Sequence, residues 1–130
     1  MTNQQAQERE RIIFGSPYDE RLYAFGGIRN FDRLTLQQVE ELLDKGYLKP
    51  HDAQNSSPTA QEFVDFVKDS GLDYTFHGYS VSPERVDNRV TIEGIEYDGV
   101  PDKSDIIEFV NFARFADALD IKHGLYCWYD

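Results

Sequence analysis

The chain has 130 residues, 40% hydrophobic and 14% aromatic, enough for one hydrophobic core and too apolar for global disorder. Thirteen Lys and Arg against 24 Asp and Glu give a net charge of −11, and the whole excess lies in residues 34–130, because residues 1–33 carry five charges of each sign. Such a surface repels phosphate backbones, so no direct nucleic-acid binding is expected; its complement is a basic protein surface, although acidity also serves plain solubility.

Cys127 is the single cysteine, which excludes an intramolecular disulfide and fits a reducing compartment. With no apolar leader in residues 1–13 and no apolar window of membrane-spanning length, the sequence reads as a cytoplasmic protein of the bacterial kind, with no membrane association. The glycosylation-type triplet Asn55, Ser56, Ser57 then reads as a polar loop.

In chain order, residues 1–11 have no apolar periodicity and are expected to form a flexible polar tail, frayed or loosely helical, ahead of a single α+β domain over 12–130. Turn signals at Gly15, Ser16, Pro17 and at Gly26, Gly27 suggest short extended pieces, with Leu22, Tyr23 and Phe25 opening a strand. Thr35 and Gln38 form a capping box, Leu34 and Val39 a hydrophobic staple, and Leu36, Val39, Leu42 and Leu43 the apolar stripe of a helix that Gly46 ends. A second helix opens at Ser57 and Pro58 or at a Thr59/Glu62 box, carries Ala60, Phe63, Val64 and Val67 inward, and stops at Gly71. Residues 72–77 alternate with period two, placing Leu72, Tyr74 and Phe76 on one strand face and Thr75 and His77 on the other. Residues 89–93 alternate likewise, as an antiparallel neighbour would, and Gly94 breaks the phase, which predicts a bulge or bend. A third helix from Asp102 or Ser104 to about Leu119, with Ile106, Phe109, Ala113 and Ala116 on one face, is expected to be the core helix. Residues 124–129 close the chain as a strand. The fold class is α+β: an antiparallel sheet of three to four strands packed against about three helices.

No metal or cofactor is expected, since His51, His77, His123 and Cys127 have no recognised ligand spacing. The acidic residues Glu93, Glu96, Asp98, Asp102, Asp105 and Glu108 do not fit a calcium loop; they read as an acidic surface beside a helix start. His77 could serve Cys127 as a base only if their strands were adjacent, and a cysteine among aromatics is expected to be inert packing. The polar strand face brings together His77, Tyr79, Thr91 and Glu93 as candidate pocket residues. The expected function is a non-enzymatic interaction or regulatory module for a basic protein surface. A small enzyme or ligand-binding domain on the His77/Tyr79/Glu93 face is one alternative, and a self-associating protein with Tyr126, Trp128 and Tyr129 on an edge strand is another.

Overall fold

Every α-helix of the computed structural model, which describes residues 1–24 and 26–130, starts at a capping box. Thr2 and Gln5 open α1 (Asn3–Phe14), Thr35 and Gln38 open α2 (Leu36–Asp44), Thr59 and Glu62 open α3 (Ala60–Ser70), and Asp102 and Asp105 open α4 (Lys103–Phe112). Five strands, β1 (Ile28–Leu34), β2 (Thr75–Val81), β3 (Val90–Tyr97), β4 (Ala118–Asp120) and β5 (Leu125–Trp128), form one antiparallel sheet in the order β1-β2-β3-β5-β4. The α+β class holds, with five strands and four helices among the described residues in place of three to four and about three.

Four expectations need correction. Residues 1–11 are no tail, because they make up most of α1. Its buried residues Ala6, Arg9, Glu10 and Ile13 have helical spacing, but two of them are charged, so hydrophobic periodicity cannot find that face. The third predicted helix ends at Phe112, and Ala118, Leu119 and Asp120 pair with Trp128, Cys127 and Tyr126 as β4; strand pairing outweighs local helix preference there. Nor is α4 the core helix, since Phe109 is its one fully buried residue and Ile107 is 59% exposed. The centre belongs to α2 and α3, whose Val39, Leu42 and Phe63 are completely buried. Lastly, Glu20–Leu22 is a short 3-10 turn where a strand was expected to open, and Phe25 lies outside the described residues.

Strand parity places the core on one side of the sheet. Phe76, Ile92, Ile95, Leu125 and Cys127 join the helix residues in a single cluster, braced by edge-on rings such as Phe63 against Tyr129 at 6.0 Å. Thr75, His77 and Tyr79 point the other way, onto a half-buried face that no described helix covers. The expected irregularity at Gly94 is present: His77 pairs with Gly94, whereas the next residue, Gly78, pairs with Ile92. No helix among the described residues is long and apolar enough to cross a membrane.

Helix α1 is attached by polar groups. Arg9, completely buried, donates from Nη1 to the Asn88 carbonyl and from Nη2 to the Val81 carbonyl, both at 2.8 Å, and so ties the helix to the end of the β2–β3 hairpin. Beside it the buried Glu10 accepts from the Tyr23 hydroxyl at 2.7 Å, and that hydroxyl lies 3.1 Å from Ser80 Oγ.

Candidate functional site

The uncovered face presents Asn30 and Asp32 from β1, Thr75, His77 and Tyr79 from β2, Thr91, Glu93 and Glu96 from β3, and Tyr126 and Trp128 from β5. Alternation puts these side chains there: their sequence neighbours Phe31, Phe76, Ile92, Ile95 and Cys127 are the ones that fill the core. Near the centre of the sheet the face dips into a concavity of about 340 Å³, lined by His77, Glu93, Glu96, Tyr126 and Trp128 and reached from β1 by Asp32.

One glycine shapes this concavity. His77 and Tyr126 come from strands separated by β3, yet their rings stack with centroids 5.1 Å apart and planes 9° from parallel. Gly94, opposite His77, lets the imidazole lean across β3; a Cβ there would sit 2.6 Å from His77 Nε2 and would collide with the Cys127 carbonyl. His77 Nε2 is itself buried and makes no hydrogen bond of good geometry. Burial pushes the imidazole below its ordinary range, opposed by the Cys127 carbonyl and by Asp32. The Glu93 carboxyl is raised, first by burial and then by Asp130, against the neighbouring Trp128 indole N–H, which lowers it. Burial and the Asp98 carboxylate raise Glu96 as well.

The four candidate pocket residues do not share one pocket. His77 and Glu93 line the concavity. Tyr79 is engaged by Arg89, whose Nη2 donates to its hydroxyl at 3.0 Å, and Thr91 lines a separate recess of about 200 Å³ together with Asp52 and Arg89. The acidic surface residues also separate by role. Glu96 is in the concavity, and Asp98 pairs with Arg33 at 3.0 Å. Asp102 and Asp105 satisfy the first turn of α4: Asp102 accepts from the Asp105 backbone N–H at 2.8 Å, and Asp105 accepts in return from the Asp102 backbone N–H at 2.9 Å.

Tyr126 and Trp128 carry much of the site and were read only as strand formers, or as members of an exposed edge. Strand β5 is internal, between β3 and β4, and Tyr129 is buried, so the aromatic edge expected for self-association is not present. Cys127 and His77 do not meet as nucleophile and base, because β3 separates their strands and Cys127 faces the core, where burial pushes its thiol up to about 12. His51 and His123 sit in exposed turns, and no group of three or more His, Cys, Asp or Glu side chains able to hold a metal ion occurs among the described residues. Compared with family models, curated proteins and solved structures, the chain matches none of them.

Proposed function

We propose that this chain is a non-enzymatic interaction module that docks a basic protein surface on the uncovered face of its sheet. The observation that carries the reading is the composition of that face, where Asp32, Glu93 and Glu96 surround the half-buried aromatics His77, Tyr126 and Trp128. Aromatic side chains offer large contact area at low entropic cost, and a carboxylate rim both steers a basic partner and selects against an acidic one. The net charge of −11 gives the same preference at long range and disfavours nucleic acid. A cytoplasmic setting belongs to the proposal, because the lone buried thiol needs no oxidising environment.

The test separates the face from the overall charge. One variant carries Asp32→Asn, Glu93→Gln and Glu96→Gln; a second carries Asp44→Asn, Asp65→Asn and Asp69→Asn on the exposed sides of α2 and α3, so that both lose three charges. Binding of a labelled, unstructured peptide rich in Arg and Lys should weaken about tenfold in the first and under about twofold in the second, and in the wild type it should weaken as salt rises. Equal losses in the two variants would mean that the peptide senses only net charge, and the proposal would fall.

A further inference from the structure

We propose that the concavity seats one arginine guanidinium of the basic partner, laid against Tyr126 and Trp128 and held by the carboxylate of Glu93. This rests on the reading of the uncovered face as a docking surface and names the group that the face recognises.

The same face already holds one such arrangement within the chain. The Arg89 guanidinium lies over the Tyr79 ring, 5.7 Å from its centroid, with Asp87 on its Nη1 at 3.0 Å. Two further arginines stack on rings elsewhere, Arg29 over Phe14 at 3.6 Å and Arg114 over Phe115 at 4.7 Å. At the other end of the face the aromatic and acidic halves are repeated, and among the described residues no arginine lies over the Tyr126 or Trp128 ring. Tyr126 is held flat by its stack on His77, Trp128 follows two residues on along β5, and Glu93, Glu96 and Asp32 border the space. Among the described residues Arg33 is the one Lys or Arg that lines this concavity, and its guanidinium is paired with Asp98 at 3.0 Å.

Two chemical points favour arginine over lysine. A guanidinium is planar, so it can lie against an aromatic face and still offer a fork of N–H donors to a carboxylate edge-on, whereas an ammonium is a point charge with no flat face to stack and no fork to match the carboxylate. A guanidinium is also more weakly hydrated, so it loses less on moving against the half-buried side chains of His77, Glu93, Tyr126 and Trp128. A bare metal ion does not fit, because no cluster of three suitable ligands is found among the described residues.

The experiment uses the full chain and its single tryptophan, Trp128, whose fluorescence reports directly from the proposed seat. Three peptides share lysine-bearing flanks and differ only at the central residue, which is arginine, lysine or the uncharged arginine isostere citrulline; binding is followed by Trp128 fluorescence and, independently, by anisotropy of a label on the peptide. The arginine peptide should bind about fivefold more tightly than the lysine peptide and more tightly still than the citrulline peptide. Glu93→Gln, nearly isosteric and on the solvent side of the sheet, should erase the preference for arginine while leaving the melting temperature within about 2 °C of wild type. If the arginine and lysine peptides bind equally, and both weaken on neutralising Asp32, Glu93 and Glu96, the arginine seat is wrong and the docking surface stands. If anisotropy reports binding while Trp128 fluorescence does not change, or if no peptide binds, both readings are wrong.

Discussion

A chain ending at Gly124 should fail to fold, although only six residues are removed. Residues 125–130 supply β5, which pairs on one side with β3 through Tyr97 and Glu96 and on the other with all three residues of β4. Their loss exposes the β3 edge and leaves β4 without a partner, and unpaired strand edges are templates for aggregation. They also contribute Leu125, Cys127 and Tyr129, each at most 1% exposed, to the centre of the core. Full burial of a large apolar side chain is worth about 1.5–3 kcal/mol, so losing such side chains together with the strand hydrogen bonds approaches the 5–15 kcal/mol stability of an ordinary domain. Size-exclusion chromatography and thermal melting provide the check: the shortened chain should aggregate or show no cooperative transition. A soluble truncated protein with an unchanged melting temperature would mean that β5 does not join the sheet.

Arg9→Met should cost about 3–5 kcal/mol, an unusually large effect for a residue near the start of a chain. The substitution keeps most of the side-chain volume but removes the cation from a fully buried position, leaving the Val81 and Asn88 carbonyls without their donor. The Glu10 carboxylate, whose Oε2 lies 3.8 Å from Arg9 Nη2, also loses its nearest opposite charge. Urea unfolding measures the loss, and a value below about 1 kcal/mol would show that α1 is held by its apolar contacts alone.

Glu10 adds a dependence on pH whose sign is fixed. Burial raises its folded-state pKa above the ordinary value of 4.5, opposed by the Tyr23 hydroxyl, Arg9 and Arg29. A raised pKa means that the folded state holds the proton more tightly than the unfolded chain does. The stability from this group is therefore complete below 4.5 and is lost as pH rises through the folded value. Relative to a Glu10→Gln variant, wild-type protein should lose stability across that window as pH increases, and parallel curves for the two proteins would remove Glu10 from the account.

The parts of the fold legible in the sequence are those written in apolar periodicity and capping. Thr35 with Gln38 and Thr59 with Glu62 mark α2 and α3, and the alternation through Tyr74, Phe76, Val90 and Ile92 marks β2 and β3, with the slip at Gly94. Helix α1 escaped because its buried face consists half of Arg9 and Glu10, charged groups whose partners are distant in sequence: the backbone of the β2–β3 hairpin for Arg9 and the Tyr23 hydroxyl for Glu10. Strand β1 escaped because Arg29, Asn30, Asp32 and Arg33 leave only Ile28, Phe31 and Leu34 as apolar markers. Strand β4 was hidden in a helical pattern that only pairing with β5 overrules. Within the site, His77 and Glu93 were legible as outward members of alternating strands. Their association with Tyr126 and Trp128 was not, because it depends on β5 lying beside β3 and on the missing side chain at Gly94, both of which are tertiary facts.

The uncovered sheet face is proposed to bind a basic partner. The most direct test is a map of backbone and side-chain NMR shifts as an arginine-rich peptide is added to the full chain. Changes should concentrate at Asp32, His77, Glu93 and Glu96 and at the Tyr126 and Trp128 signals, including the Trp128 indole N–H, with α2 and α3 unchanged. Shifts confined to the helices, or spread evenly over the acidic surface, would contradict the proposal.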